Sequence, residues 1–217
     1  HLAIESKKSL QFEGWIPQPT AERLFSMSGV SYAEMKTKAI DPNFKSFKLK
    51  AQFTSRISNK YRNVKSQNVV AMHEGNDPEL KNEYIIYTAH WDHLGINKKL
   101  TDDKVYNGAN DNASGTGMVL AIAKAFSSLK DTTKRSVLFL AVTAEEEGLL
   151  GAKYYSMNPL YPLDKTLAVI NIDAMGNTYG RTKDLIVVGM GNSNLDQILE
   201  YAAKQDKKYI TPDAEPE

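Results

Sequence analysis

The chain has 217 residues, of which 41% are hydrophobic and 24% charged, as in ordinary globular proteins that bury a sizeable core. Its formal net charge of +1 provides no strong field for nucleic acid or an anionic membrane surface, and no apolar run approaches the ~20 residues of a membrane-spanning helix. Because the sequence contains no cysteine, it excludes disulfide bonds and thiolate metal sites, so any metal ion must be held by His, Asp or Glu.

The N-terminal part of the chain predicts two short helices and one strand. Residues 18–29 predict a helix that ends at Gly29, and Ser31 and Glu34 are spaced as the capping box of a second helix. The alternation of apolar and polar residues over 47–53 predicts a half-buried strand.

From residue 68 onward, predicted strands alternate with predicted helices, which is typical of an α/β protein whose central strands are parallel. Strands are predicted from apolar, β-branched runs, and helices from apolar residues that recur every three or four positions. In chain order the segments are strands at 68–72 and 83–90, a helix at 112–129, a strand at 136–142, a helix at 146–158, strands at 167–173 and 184–189, and a helix at 193–205.

Imidazole and carboxylate side chains gather at the ends of these strands and in an acidic loop between them. They belong to His90, Asp92, Asp111, Glu145, Glu146, Glu147 and Asp173. Since open α/β sheets bind ligands outside the carboxyl ends of their strands, we expect these side chains to converge on one crevice. Carboxylates a few ångströms apart repel one another, so protons or a cation must neutralise them, and imidazole with carboxylate suits Zn²⁺. Two metal ions bridged by one carboxylate would use this number of ligands.

Each of these features has an ordinary structural explanation when it stands alone. A histidine at a strand end is usually a hydrogen-bonded polar residue, and acidic residues at a helix start interact favourably with the helix dipole. Asn and Asp are common in turns and helix caps. Their joint occurrence, in this order and at strand ends, favours a metal site.

Four segments together resemble the co-catalytic zinc aminopeptidases, a family that includes bacterial leucyl aminopeptidase, aminopeptidase Y and, more distantly, glutamate carboxypeptidase II. These segments are AHWDHLG, YNGANDNASGTGMVLAIA, KRSVLFLAVTAEEEGLLGAKYY and INIDAMG, and the resemblance extends over about residues 68–205. It implies a three-layer α/β/α fold with a mixed, centrally parallel sheet. It also implies a zinc-dependent exopeptidase, an aminopeptidase whose partner is a peptide substrate and which is secreted or periplasmic.

The resemblance implies roles for individual residues. His90, Asp111 and Asp173 resemble the ligands of one zinc ion, with Asp111 as the bridging carboxylate, and Glu146 resembles a ligand of the other ion. Glu145 resembles the general base, which takes a proton from the attacking water and returns it to the leaving amine.

Three neighbouring residues complete this set of predictions. Asp92 resembles the carboxylate that orients the His90 imidazole, and such partners fix the tautomer of a ligand histidine. His93 and Glu147 have no functional counterpart in the family, so we expect His93 to be structural and Glu147 to be a solvated helix residue.

The family pattern contains one further zinc ligand, a histidine in a later motif, and no histidine follows Asp173 here. The resemblance thus implies a middle part of a longer protein. Residues 1–16 resemble the return segment of a preceding protease-associated domain, and 17–217 resemble a zinc peptidase domain that is incomplete at its C-terminal end. Two zinc ions are expected in the full-length site. With only Asp111 and Glu146 to hold the second ion, we expect this chain to bind at most about one zinc tightly and to have little peptidase activity.

Two other functions stay open at this point. Glutaminyl cyclases are similar in fold and metal ligands and use one zinc, although the segment AEEEGLLGAKYY is closer to the peptidases. A non-catalytic, receptor-like relative that has lost its metals is the other alternative. Every ligand position within the span of the resemblance is occupied, which argues against that loss.

Overall fold

The computed structural model describes residues 14–175 and 184–213. The chain divides into two units, His1–Val64 and Lys65–Glu217. Most of the predicted return segment, residues 1–16, lies outside the described residues, so its assignment to a preceding domain stays a prediction.

The first unit contains two short helices, α1 (Gln18–Met27) and α2 (Tyr32–Lys38). The hydroxyl group of Ser31 accepts a hydrogen bond from the Glu34 backbone N–H at 3.3 Å, so Ser31 caps α2 as its spacing predicted. Gly29 has a φ of 71° and follows the last turn of α1, in agreement with its predicted role as a stop.

The predicted strand at 47–53 is wrong, because these residues are irregular. Alternating apolar residues form a strand only where a neighbouring strand takes up the backbone hydrogen bonds, and the described residues of this unit form no strand. The apolar side chains instead make local contacts: the Phe25 ring meets the rings of Tyr32 and Phe47 edge-on, at centroid distances of 5.4 and 6.1 Å.

The second unit is built around a mixed sheet. Its strands are β1 (Val69–His73), β2 (Tyr84–His90), β3 (Gly95–Ile96), β4 (Val105–Tyr106), β5 (Ser136–Val142), β6 (Thr166–Asn171), β7 (Asp184–Val187) and β8 (Tyr209–Pro212). Four of them form one sheet in the order β1-β5-β2-β6, in which β1 is antiparallel to β5 and the other three are parallel. This arrangement confirms the predicted parallel centre.

The remaining strands form two small pairs, β3 with β4 antiparallel and β7 with β8 parallel. The strand predicted at 184–189 therefore forms, as β7, but it does not join the four-stranded sheet. β8 was not predicted, since its sequence, YITP, is short and ends in proline.

Helices cover both faces of the four-stranded sheet. Two of them are α3 (Gly115–Ser127) and α4 (Leu150–Met157). A further helix, α5 (Leu195–Gln205), follows β7 in the chain. Alternate residues of β2 and β5 belong to two separate apolar clusters, one containing Tyr155 of α4 and the other Val119 of α3. Because successive side chains of a strand point to opposite faces, the two helices lie on opposite sides. The fold is thus the predicted three-layer α/β/α arrangement, and no helix in the described ranges has the length and apolarity to cross a membrane.

Helix α4 begins four residues later than predicted. Residues 145–148 form a turn, in which the backbone N–H groups of Gly148 and Leu149 donate to the Glu145 carbonyl at 2.9 and 2.8 Å. Gly148 and Leu149 both have positive φ angles, 91° and 61°, which a right-handed helix does not allow. The acidic residues that follow β5 therefore lie on a turn rather than in a helix, and Glu147 is exposed there.

Candidate metal centre

The parallel register of the sheet brings distant parts of the chain to one edge. His90, the last residue of β2, pairs with Val142, the last residue of β5, while Thr88 of β2 pairs with Asn171 at the end of β6. Both the turn after β5 and the segment after β6 therefore start at the same edge as His90. The irregular turn Ala109–Ser114, which leads into α3, lies against this edge as well.

His90, Asp111 and Asp173 form the first group of side chains whose donor atoms lie close enough to hold a metal ion. His90 Nε2 is 2.9 Å from Asp111 Oδ1 and 3.5 Å from Asp173 Oδ1. The imidazole is 2% exposed, whereas the carboxylates are 48% and 38% exposed. The structure thus brings together the three residues that the sequence assigned to one zinc ion, with the carboxylates open to solvent on one side.

The His90 imidazole is oriented by a hydrogen bond at Nδ1, the ring nitrogen that does not face the carboxylates. Its Nδ1 donates a hydrogen bond to the Asp92 backbone carbonyl at 2.9 Å, which leaves a lone pair on Nε2. Nε2 is buried and faces carboxylate oxygens of Asp111, Asp173 and Glu145. The sequence assigned the orienting role to the Asp92 carboxylate, whereas the structure uses the carbonyl of the same residue.

The Asp92 carboxylate instead ties the end of β2 to the turn after β5. Its Oδ2 accepts hydrogen bonds from Thr143 Oγ1 at 2.7 Å and from the Ala144 N–H at 2.6 Å. Ala144 has a φ of 53°, and Glu145 follows it directly. Asp92 therefore holds the beginning of the acidic turn close to His90.

Glu145 lies beside the first group without belonging to it. Its Oε2 is 4.0 Å from His90 Nε2, and its side chain is 30% exposed. Burial raises the pKa of Glu145; His90 lowers it, and the carboxylates of Asp173, Glu146 and Asp111 raise it again, with a net rise. A carboxylate that lies near the candidate ligands without belonging to their group, and whose pKa is raised, has the properties of a general base.

The pKa values of Asp173 and His90 also reflect the close approach of charged side chains. Burial raises the pKa of Asp173, His90 lowers it and Asp111 raises it, with a net rise. Burial lowers the pKa of His90, but the hydrogen bond to Asp92 and the carboxylates of Asp173, Glu145 and Asp111 together raise it above its ordinary value. In the absence of a cation, these groups therefore bind protons more tightly than they ordinarily do, which is the direction expected from carboxylate repulsion.

A second group of side chains, His93, Asp111 and Glu146, shares Asp111 with the first. His93 Nδ1 lies 2.5 Å from Glu146 Oε1, and both side chains are about one-fifth exposed. The sequence predicted a structural role for His93, and this role stays a prediction. Its ion pair with Glu146 was not predicted.

Asn112 is a buried residue, and the sequence did not indicate its contacts with the segment around Asp173. It is 2% exposed; its Nδ2 donates to the Ile172 carbonyl at 2.9 Å, and its Oδ1 accepts from the Ala174 N–H at 3.3 Å. Asp173 lies between these two partners, and Asp111 directly precedes Asn112 through a cis peptide bond. One amide side chain therefore holds the backbone on both sides of Asp173 next to the segment that carries Asp111.

The donor set of the first group fits zinc. Catalytic zinc sites usually take three protein ligands, and imidazole nitrogen and carboxylate oxygen are typical donors. Donor atoms at zinc-ligand distances in a tetrahedral site are about 3.3 Å apart. The 2.9 and 3.5 Å separations around His90 Nε2 lie close to this value, and the buried lone pair of Nε2 points to no competing hydrogen-bond donor among the described residues.

Comparisons with known proteins match the same part of the chain. The profile of peptidase family M28 matches residues 68–217. Aminopeptidase YwaD of Bacillus subtilis (strain 168) is 30% identical over 137 residues, which cover 62% of this chain and 27% of that protein. The alkaline phosphatase isozyme conversion protein of Escherichia coli (strain K12) is 33% identical over 140 residues, covering 60% of this chain and 38% of that protein.

A solved structure agrees with these sequence matches. The crystal structure of BSAP, a zinc aminopeptidase from Bacillus subtilis, superposes with a TM-score of 0.52 at 27% identity and covers 68% of this chain and 34% of that chain. The present chain thus spans between about a quarter and two fifths of the length of these proteins.

Proposed function

Because the chain belongs to peptidase family M28, we propose that the whole protein is a zinc-dependent aminopeptidase that removes N-terminal residues from peptides. The observation that carries this proposal is the convergence of His90, Asp111 and Asp173, with the free carboxylate of Glu145 beside them. Two of the similar proteins described above are named aminopeptidases, and one of them is a zinc enzyme.

The proposed roles of His90, Asp111 and Asp173 follow from their donor atoms. When bound, zinc lowers the pKa of a water molecule and polarises a carbonyl group. His90 offers the Nε2 lone pair because its Nδ1 proton is engaged by the Asp92 carbonyl. Asp111 and Asp173 supply negative charge and leave one side of the centre open for a substrate.

Glu145 is the proposed general base. Its carboxylate takes a proton from the attacking water as the oxygen of that water bonds to the scissile carbonyl carbon. It then gives the proton to the leaving nitrogen as the C–N bond breaks. A raised pKa supports both steps, since a carboxylate that is too weak a base takes up the proton inefficiently.

The first test replaces Glu145 in the whole protein. Glu145→Gln keeps the size of the side chain and removes its ability to accept the proton, so kcat on an aminoacyl anilide should fall by about 10²- to 10⁴-fold. Zinc content, measured by elemental analysis, should be unchanged. Glu147→Gln is the matched control, because Glu147 is an exposed neighbour in the same turn, and it should retain normal activity.

Three results would contradict the assignment. Turnover retained in the Glu145→Gln protein would remove Glu145 as the base. Loss of zinc from that variant, with zinc retained after Glu146→Gln, would mean that the two glutamates have exchanged roles. Turnover of an N-terminal glutaminyl peptide to its cyclic product, without hydrolysis of aminoacyl anilides, would contradict the peptidase reaction.

The family resemblance that supports an exopeptidase also supports a secreted or periplasmic location. We therefore expect the whole protein outside the cytoplasm of its source cells. Fractionation with detection by antibody tests this expectation, and a purely cytoplasmic signal would contradict it.

A further inference from the structure

The turn that carries Glu145 is closed into a loop by backbone hydrogen bonds between its two ends. The Gly151 N–H donates to the Thr143 carbonyl at 2.8 Å, and the Leu150 N–H donates to the Ala144 carbonyl at 3.0 Å. The segment from Thr143 to Gly151, which we call the Glu145 loop, therefore leaves the end of β5 and comes back beside its own starting point in the first turn of α4. The place of the Glu145 carboxylate depends on how firmly this closure is held.

Asn68 joins the two ends of the Glu145 loop through its side-chain amide. Its Oδ1 accepts a hydrogen bond from the Thr143 N–H at 3.1 Å, and its Nδ2 donates to the Gly151 carbonyl at 2.8 Å. Asn68 directly precedes β1, the strand that pairs with β5 on one side. An amide suits this place because it offers an acceptor and a donor on two separate atoms.

Gly151 shows how closely these groups are packed. A Cβ added at Gly151 would lie 2.3 Å from the Thr143 carbonyl oxygen and 2.6 Å from Asn68 Oδ1. Glycine is the residue that allows such a close approach of backbone groups. The ends of the loop therefore meet, and are bridged by Asn68, only because this position has no side chain.

The start of the Glu145 loop is held from both neighbouring strands. In the sheet, β5 lies between β1, which Asn68 precedes, and β2, which Asp92 follows. The Asp92 carboxylate accepts from the Thr143 hydroxyl at 2.7 Å. Because that hydroxyl has given its proton to a carboxylate, Ser66 Oγ donates to Thr143 Oγ1, at 2.6 Å. The backbone just before Glu145 is thus fixed on the β1 side as well as on the β2 side.

We infer that Asn68 is a positioning residue for the general base, because it fixes the closed form of the Glu145 loop and thereby holds the Glu145 carboxylate beside His90. The inference rests on the proposed function, since it assigns a further residue to the same reaction. Glu145 Oε2 lies 4.0 Å from His90 Nε2. A general base has to lie within hydrogen-bond reach of the proton that it takes, and a misplacement of about 1 Å can lower the rate by about 10²-fold.

The test compares kcat, KM and zinc content in the whole protein, with an aminoacyl anilide as substrate. Asn68→Ala removes both hydrogen bonds to the loop, so kcat should fall by about 10- to 10²-fold while KM changes by less than about twofold. Zinc content should be unchanged, because His90, Asp111 and Asp173 lie on other segments. In a Glu145→Gln background, Asn68→Ala should cause no further loss of kcat, since the group that it positions is already gone.

Ser136→Ala is the matched control, because Ser136 forms a similar bridge at the opposite edge of the sheet. Ser136 is the buried first residue of β5; its Oγ accepts from the Gly75 N–H at 3.0 Å and donates to the Lys81 carbonyl at 2.6 Å. Ser136→Ala and Asn68→Ala should both lower the urea midpoint of unfolding, but Ser136→Ala should leave kcat unchanged. An equal fall of kcat in both variants would make stability alone responsible and would overturn the inference.

Two further measurements keep the inference testable if Asn68→Ala does not fold. Asn68→Asp keeps the acceptor for the Thr143 N–H and loses the donor to the Gly151 carbonyl, so kcat should fall with zinc retained. In the unmutated protein, hydrogen exchange at residue resolution should show the Thr143 N–H to be as protected as the amides of β5. Fast exchange at Thr143 would overturn the inference, because the bond to Asn68 would then be open in solution.

The remaining outcomes separate this inference from the proposed function. Unchanged kcat after Asn68→Ala, loss of zinc together with kcat, or an equal fall of kcat with and without Glu145→Gln would each overturn the positioning role. All three results would leave the proposed peptidase reaction standing. Turnover retained after Glu145→Gln alone would instead count against the proposed base, and with it against the inference.

Discussion

The side chain of Asn112 makes three hydrogen bonds to backbone groups around the candidate centre, with Ile172, Ala174 and Gly115 as partners. An amide is suited to this position because it donates and accepts at once. The neighbouring carboxylates of Asp111 and Asp173 could not replace it, because an ionised carboxylate only accepts. The precision of the centre therefore depends on a neutral residue that binds no metal.

A substitution of Asn112 tests this positioning role. Asn112→Ala should lower the free energy of unfolding by about 2 to 4 kcal/mol, because it leaves buried backbone groups without partners. It should also weaken zinc binding, since Asp111 and Asp173 lose their common support. Urea unfolding of the stripped protein and zinc titration measure the two effects. Asn82→Ala, at an exposed position before β2, is the control, and equal effects of the two variants would contradict the role.

At the scale of secondary-structure elements, α3 illustrates how tightly the sheet edge is packed. The helix begins at Gly115, where an added Cβ would lie 2.3 Å from Asn112 Oδ1 and 2.4 Å from the Ile172 carbonyl oxygen. Two residues later, at Gly117, an added Cβ would meet nothing within 4 Å. The same helix therefore contains one glycine required by packing and one that is not.

This pair gives a matched prediction. Gly115→Ala should destabilise the chain by about 1 to 3 kcal/mol, because the new methyl group overlaps a carbonyl oxygen and the Asn112 amide. Gly117→Ala should leave stability unchanged or raise it by up to about 1 kcal/mol, since alanine favours a helix. Urea unfolding measures both. A Gly115→Ala protein as stable as the Gly117→Ala protein would contradict the close packing of α3 against the end of β6.

The elements differ in how well their sequences specified them. The run at 136–142 became β5 with unchanged bounds, because a strand buried on both faces needs a continuous apolar stretch. The strand predicted at 47–53 did not form. Its alternating pattern is compatible with a strand, but a strand also needs a neighbouring strand to take up its backbone hydrogen bonds. The start of α4 was misplaced because positive φ angles at Leu149 and Gly148 depend on the turn that the end of β5 imposes.

At the scale of the whole molecule, the centre couples stability to pH. In the zinc-free chain, burial and mutual repulsion raise the pKa of Asp173 above its ordinary 3.8 and that of Glu145 above 4.5, and the pKa of His90 is raised above 6.5. A group whose pKa rises on folding binds more protons in the folded state. The contribution of such a group to the stability of the fold is therefore complete below its ordinary pKa. This contribution is lost as the pH rises through the pKa that the group has in the folded state.

The zinc-free chain should accordingly lose the stabilisation from each of these three groups as the pH rises from the ordinary pKa of that group through its raised pKa. Zinc should bind more tightly over the same range, because it requires the deprotonated forms. Thermal unfolding with and without zinc should show a Tm difference that widens with pH. In the Asp173→Asn protein, the zinc-free Tm should depend less on pH. A Tm difference that is constant across this range would contradict the coupling.

The sequence by itself determined the fold class, the central strands and the convergence of an imidazole and several carboxylates at one edge; the resemblance to a family then singled out His90, Asp111, Glu145, Glu146 and Asp173. It could do so because these depend on local patterns: apolar runs make buried strands, and parallel strands that end together place the following residues at one edge. Only the tertiary structure decided which atoms face one another. The Asp92 carbonyl in place of its carboxylate, the Asn112 amide and the approach of His93 to Glu146 all depend on backbone turns between elements, and no local periodicity encodes these.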